Sequence, residues 1–398
     1  MKISILLMLE RYAKVASGAI YVLFLARYLG PKDYGAYSAG LAVAGLLGVF
    51  ALAGVDGLFQ KKLSVSKEKS EIFFSFFLIK LVPVLIATSF YFLYVFYSGE
   101  GVDLLIVCFL PFTISLVLSF SYQGLLYEEK YKEIIKISFS IIAISNIFRI
   151  YLFLYTEKIE LYALAYSMEA LLLTVIYSVV FIRQINVVST PSFRVLKSIF
   201  KDGFPLIVST LIIGSVSKVV LLNIEQSSSL EVVGQFALSM RVVEAALLLA
   251  VASSMIGLKA LLTNYGTDKY FYQKRIYIRN MYALSFLSML LTFVFFFFIS
   301  SYLFGTGYAY SYKSCILISL LVFFNFIAIY NGRLLVVEEL YKFAFFRSLF
   351  SLVFFFILVV YFNESFNLEE ALLTLLAFWF SSSFIFMSIF KKTRRMFF

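Results

Sequence analysis

The chain has 398 residues, of which 62% are hydrophobic and 14% charged, and it carries a net charge of +11. Soluble domains run near half apolar and a quarter charged, so a water-soluble globule is excluded. Histidine is absent, and the two cysteines, Cys108 and Cys315, lie far apart in apolar runs, which leaves no usual metal site, neutral-pH acid–base group, redox pair or cofactor motif.

A helix needs about 20 mainly apolar residues to cross a bilayer. The first such stretch is 5–28. It opens like a signal segment, but Glu10, Arg11 and Lys14 interrupt the apolar run and no small-residue cleavage site follows, so it reads as an uncleaved first helix. Further stretches follow at 36–59, 72–97, 104–126, 134–155 and 161–182. A second series occupies 204–223, 233–258, 281–303, 314–332, 344–362 and 371–390. The longest polar connection, Arg183 to Lys201 with Pro191 inside it, is too short to fold as a soluble domain. The fold class is therefore an all-α polytopic membrane protein with about twelve transmembrane helices.

The basic residues orient it. With the N-terminus in the cytoplasm, the inner segments hold 24 Lys and Arg residues, and the outer loops hold only Lys32, Lys158 and Lys313. This asymmetry predicts that both termini are cytoplasmic. The positive charge reports topology and anionic lipid contact, and calls for no nucleic-acid partner.

Two echoes suggest an internal repeat. Tyr34-Gly35-Ala36-Tyr37 opens the second span, and Val233-Gly234-Gln235-Phe236 opens the eighth. Tyr122-Gln123-Gly124 closes the fourth and Tyr330-Asn331-Gly332 the tenth, each followed by paired acids and a tyrosine. These place spans one to six over seven to twelve as parallel repeats, giving two six-helix bundles over 1–190 and 191–398.

With Lys136 and Arg347, at span ends, counted in the inner segments, seven basic residues remain inside the spans: Arg11, Lys14, Arg27, Lys80, Arg149, Lys218 and Arg241. Four acids join them, Glu10, Asp56, Glu169 and Glu244. A charge in the bilayer costs at least a few kcal/mol, so such groups are paired or face water. Arg27 and Asp56 are near enough to span ends to snorkel, as are Arg149 and Lys218. Glu10 with Lys14 and Arg241 with Glu244 share helix faces and can pair. The functional reading is a wet cationic cavity for an anionic substrate, lined by Arg11, Lys14, Lys80, Arg149, Lys218 and Arg241, with Glu10, Asp56, Glu169 and Glu244 as ion-coupling candidates. The alternative is a set of structural ion pairs. No phosphate-binding glycine loop, zinc-protease motif or serine-hydrolase elbow is present, so an enzyme is not expected.

The segment from Leu25 to Ser38, with Arg27, Leu29-Gly30-Pro31, Tyr34-Gly35 and Tyr37 in fixed places, resembles the signature of Wzx-type polysaccharide flippases. These belong to the multidrug/oligosaccharidyl-lipid/polysaccharide (MOP) exporter superfamily. Gly54 to Leu63, Tyr122-Gln123-Gly124 and Val233 to Phe236 resemble further turns of that family. The resemblance implies two six-helix bundles in a V, as in the multidrug (MATE) branch, with alternating access to a central lumen in the bacterial cytoplasmic (inner) membrane. It implies a cargo of undecaprenyl-pyrophosphate-linked oligosaccharide, as in O-antigen and lipopolysaccharide biosynthesis; with no ATP-hydrolysing motif in the chain, an ion gradient or a substrate gradient would drive it. A polysaccharide polymerase and a chain-length regulator are the implied protein partners. A multidrug antiporter and a membrane-embedded polymerase or transferase stay open as alternatives.

Overall fold

The structure is a computed structural model. It describes residues 2–52, 56–65, 68–99, 103–185, 191–264, 267, 269–338, 340–362 and 366–394, all organised by helices. Ten of these helices are long and apolar enough to cross a membrane: Lys69–Ser98, Leu104–Tyr127, Tyr131–Tyr155, Ile159–Ile182, Gly203–Ser227, Leu230–Met255, Lys269–Phe304, Tyr312–Leu335, Lys342–Tyr361 and Leu368–Ile389. They fall where the third to twelfth stretches were drawn. The chain is a multi-pass membrane protein.

The first two stretches are the legs of one 48-residue helix, α1 (Lys2–Val49), broken at Gly30 and Pro31. Gly30 has φ of +73°, a left-handed value that glycine adopts at no steric cost, and Pro31 restarts the helix with its fixed φ. The second leg stops at Val49, ten residues short of the expected 36–59. A separate helix, α2 (Asp56–Val65), begins with Asp56 in its first turn.

The helices that follow are α3 (Lys69–Ser98), α4 (Leu104–Leu118), α5 (Phe120–Tyr127), α6 (Tyr131–Tyr155) and α7 (Ile159–Ile182). Asp103 caps α4 by accepting from the Leu105 amide at 2.9 Å. Beyond them run α8 (Phe193–Ser227), α9 (Leu230–Thr263), α10 (Lys269–Val294), α11 (Ser300–Phe304), α12 (Tyr312–Val337) and α13 (Tyr341–Tyr361). The last membrane helix, α14 (Leu368–Phe380), starts with a capping box between Asn367 and Glu370 and passes through a π-helical turn at Ser381–Ile385.

The chain forms two compact units, one of residues 1–21 and 37–218, the other of 22–36 and 219–398. In the first unit Phe59, Phe73, Phe76, Phe120 and Phe181 pack as a core, with Phe59 edge-on to Phe76, Phe120 and Phe181 at 4.8–5.8 Å. In the second, Tyr277, Phe326 and Tyr330 hold the equivalent centre, and the Tyr330 hydroxyl donates to Ser253 Oγ at 2.7 Å.

The echoed segments meet inside the second unit. A Cβ on Gly35 would lie 2.0 Å from the Leu230 carbonyl oxygen, and a Cβ on Gly234 would lie 2.0 Å from that of Pro31. Pro31 stands four residues before Gly35 and Leu230 four before Gly234, so the contact is reciprocal: each glycine lets the other segment's backbone pass. Tyr308 adds a hydrogen bond to the Ala26 carbonyl at 3.0 Å. The acids of the other echo also hold matching places. Lys69 of α3 pairs with Glu128 at 2.6 Å, and Lys274 of α10 pairs with Glu338 at 2.8 Å.

Candidate functional site

In the first unit one face of α1 presents Glu10, Lys14, Ser17 and Tyr21, spaced i, i+4, i+7, i+11. At 1.5 Å per residue this polar seam is about 17 Å long. Across from it stand Ser138, Asn146 and Arg149 on α6, and Glu169 and Tyr177 on α7.

Glu10 is buried. Its Oε1 accepts from Ser138 Oγ at 2.5 Å, and the Ser138 hydroxyl is 2.5 Å from the Tyr177 hydroxyl. Because Ser138 has one proton to give, Tyr177 is the donor to Ser138 and the chain runs Tyr177 to Ser138 to Glu10. Glu10 Oε2 is buried with no hydrogen-bond partner among the described residues. Lys14, a turn further on, is exposed. It lies within electrostatic reach of Glu10 and Glu169, yet among the described residues no carboxylate closes an ion pair with it. The expected Glu10–Lys14 pair is thus replaced by the Ser138 contact.

At the far end of the seam Ser17 and Asn146 exchange hydrogen bonds of 3.1 and 2.9 Å, and Arg149 Nη1 donates to Asn146 Oδ1 at 3.3 Å. The Arg149 guanidinium is buried, ion-paired with Glu169, and stacked 4.0 Å above the Tyr21 ring. Snorkelling is therefore not how Arg149 is accommodated. Its charge is met by a carboxylate on the neighbouring helix and by an aromatic face.

The other candidates sit elsewhere. Lys80 is fully buried in the first unit and donates to Asp56 Oδ1 at 2.6 Å and Ser119 Oγ at 2.8 Å. Asp56 thus ties the start of α2 to α3 instead of snorkelling. Lys218 donates to the Gly214 carbonyl at 2.6 Å, and its stem passes over Gly45, where a Cβ would stand 2.5 Å from Cε. Arg241 and Glu244 pair at 2.8 Å on α9 of the second unit, as their spacing predicted. The Arg11 side chain lies outside the described ones. Arg347, counted on an inner connection although the 344–362 stretch takes it in, lies within α13 and is buried.

The arrangement offers one exposed ammonium flanked by two buried or half-buried carboxylates, on helices that present no group of residues able to hold a metal among those described. Over residues 2–258 the sequence matches the family described as polysaccharide biosynthesis protein. The chain belongs to that family. Its polar seam lies wholly within the matched part. Among curated proteins no relative is found. Among solved structures, the fold of this polysaccharide biosynthesis family member is similar to an inward-facing multidrug resistance MATE transporter of the MOP superfamily. The TM-score is 0.64 at 15% identity, over 97% of this chain and 94% of that one. It is also similar to a point mutant of the Vibrio cholerae MATE transporter VcmN, with a TM-score of 0.61 at 14% identity over 100% and 98% of the two chains. A eukaryotic MATE transporter gives 0.57 at 14% identity over 98% and 96%. At these identities the likeness establishes the fold.

Proposed function

We propose that the protein is a flippase that carries undecaprenyl-pyrophosphate-linked oligosaccharide repeat units of a surface polysaccharide, such as O-antigen, across the bacterial inner membrane by alternating access. The observation that carries this reading is the family match on a chain whose fold is that of membrane transporters. Within polysaccharide assembly, the step that suits a helical transporter is translocation of the lipid-linked unit, not bond formation. Lys14 is the seam's anion contact: it is exposed and positive, and among the described residues neither nearby carboxylate closes an ion pair with it. A cation there suits a pyrophosphate and disfavours the cationic drugs of a multidrug antiporter.

Glu10 is the coupling group of this proposal. Its carboxylate lies one turn from Lys14, and its buried Oε2 has no hydrogen-bond partner among the described residues. The N- and C-termini are cytoplasmic in this reading, on the basic-residue asymmetry.

The test is a deletion strain. Lipid-linked repeat units should accumulate facing the cytoplasm, with the surface polymer lost. Normal polymer would refute the proposal, and repeat units that are flipped but unpolymerised would point to a polymerase instead.

A further inference from the structure

Arg347 is a buried cation with no part in the transport reading. It projects from α13 of the second unit with 7% of its surface exposed. Nη1 donates to the Ala328 carbonyl of α12 at 3.3 Å, long for a charged donor. Nε is buried without an acceptor among the described residues. Nη2 lies against Gly332, where even a Cβ would stand 3.7 Å away. Asn331, 1% exposed, donates Nδ2 to the Ser383 carbonyl at 3.2 Å, and its buried Oδ1 has no donor among the described residues. Ala328, Asn331 and Gly332 are i, i+3 and i+4 on α12, so the unsatisfied amide oxygen and the guanidinium share one face. Among the described residues no carboxylate lies within ion-pair distance of Arg347 and no ring stacks on it.

That charge has to be met. A guanidinium does not deprotonate, and moving it out of water costs several kcal/mol that one neutral carbonyl does not offset. The dipole of α12 acts only over its last turn before Val337, and Ala328 lies more than two turns upstream. A water between Nε and Asn331 Oδ1 would satisfy both atoms and leave the charge standing. A small anion beside Nε and Nη2, with one water donating to both the anion and Asn331 Oδ1, satisfies every bare atom and neutralises the site.

We propose that the pocket formed by Arg347, Asn331 and Gly332 binds a small monovalent inorganic anion, with chloride as the physiological candidate. A Cβ on Gly332 would meet only Nη2, at 3.7 Å, so no other side chain crowds the guanidinium there. Phosphate would need more donors than the pocket supplies.

The test uses the full-length protein in detergent, melted across a chloride titration with gluconate holding ionic strength constant. The wild-type Tm should rise saturably, by about 3–6 °C for a tenfold change in the folding equilibrium. Arg347→Gln should remove the chloride response. Gly332→Ala, which keeps the charge and narrows the space, should move the midpoint to at least tenfold higher chloride. Wild-type melts that are identical in chloride and gluconate overturn the proposal. A chloride response that persists in Arg347→Gln also overturns it. If that variant does not fold, an unchanged midpoint in Gly332→Ala does so instead.

Discussion

Replacing Arg149 by Met separates the two readings of a charge inside the membrane. The side chain is buried, paired with Glu169 and stacked on Tyr21. Removing it leaves the Glu169 carboxylate largely buried and uncompensated, which costs about 3–5 kcal/mol. Loss of the Tyr21 stacking adds about 0.5–2 kcal/mol. At roughly 2–4 °C per kcal/mol, the single variant should melt on the order of 10 °C below wild type. Glu169→Gln should cost at least as much, because it leaves the buried Arg149 guanidinium with only Asn146 and Tyr21 to meet its charge. The double variant Arg149→Met, Glu169→Leu removes both charges and should return to within about 1 kcal/mol of wild type. Thermal melting of the four purified proteins in detergent completes the cycle. A single variant that loses less than about 1 kcal/mol, or a double variant that loses the sum of both singles, refutes the argument that Glu169 compensates Arg149. The same double variant reports on function. If the pair only positions α6 against α7, surface polymer should be retained; a folded double variant without export would place Arg149 on the cargo.

Lys14→Ala should cut export several-fold at normal protein level while Lys14→Arg retains it, read as surface polymer in a complemented deletion strain. Glu10→Gln should keep the Ser138 contact and the fold but abolish the dependence of export on the proton gradient, measured with an uncoupler. Glu338 sets a pH limit on the second unit. Burial raises its carboxyl, but hydrogen bonds from Lys274 and Tyr270 outweigh burial and hold it below the ordinary carboxylate value. A depressed carboxyl stabilises above the unfolded value of about 4.3 and stops doing so as pH falls through the folded one. The Tm gap between wild type and Glu338→Gln should therefore be constant at pH 5–8 and close below about pH 4. Gly234→Ala puts a Cβ 2.0 Å from the Pro31 carbonyl, and the strain should cost about 1–3 kcal/mol, visible as reduced membrane levels of the protein.

The sequence shows the spans because each is a property of one contiguous run, and the bilayer sets its length. It shows Arg241 with Glu244 because three residues along one helix determine that pair. It misjudges the end of the second span, where Gly48 to Asp56 stays apolar enough to resemble more helix. Pairs made across helices are out of its reach. Lys80 and Asp56 are 24 residues apart, and Arg149 and Glu169 are 20, and only packing brings either together. Local spacing also gives a wrong partner for Glu10: Lys14 is one turn away, but a serine 128 residues distant holds the carboxylate. Arg347 shows a different error: it stands inside the 344–362 stretch, yet a basic residue near a span end reads as a loop charge until packing shows it buried.

Gly35 and Gly234 bear on what the family signature means. The most recognisable string in this chain, around Leu29-Gly30-Pro31 and Tyr34-Gly35, serves as a backbone weld, a place where two related segments lean on each other's carbonyls. No atom of it needs to know what is carried. Proteins sharing this string would share a scaffold while moving chemically unrelated cargo, so a search for sugar specificity should compare the residues on the α1, α6 and α7 seam and leave the signature out.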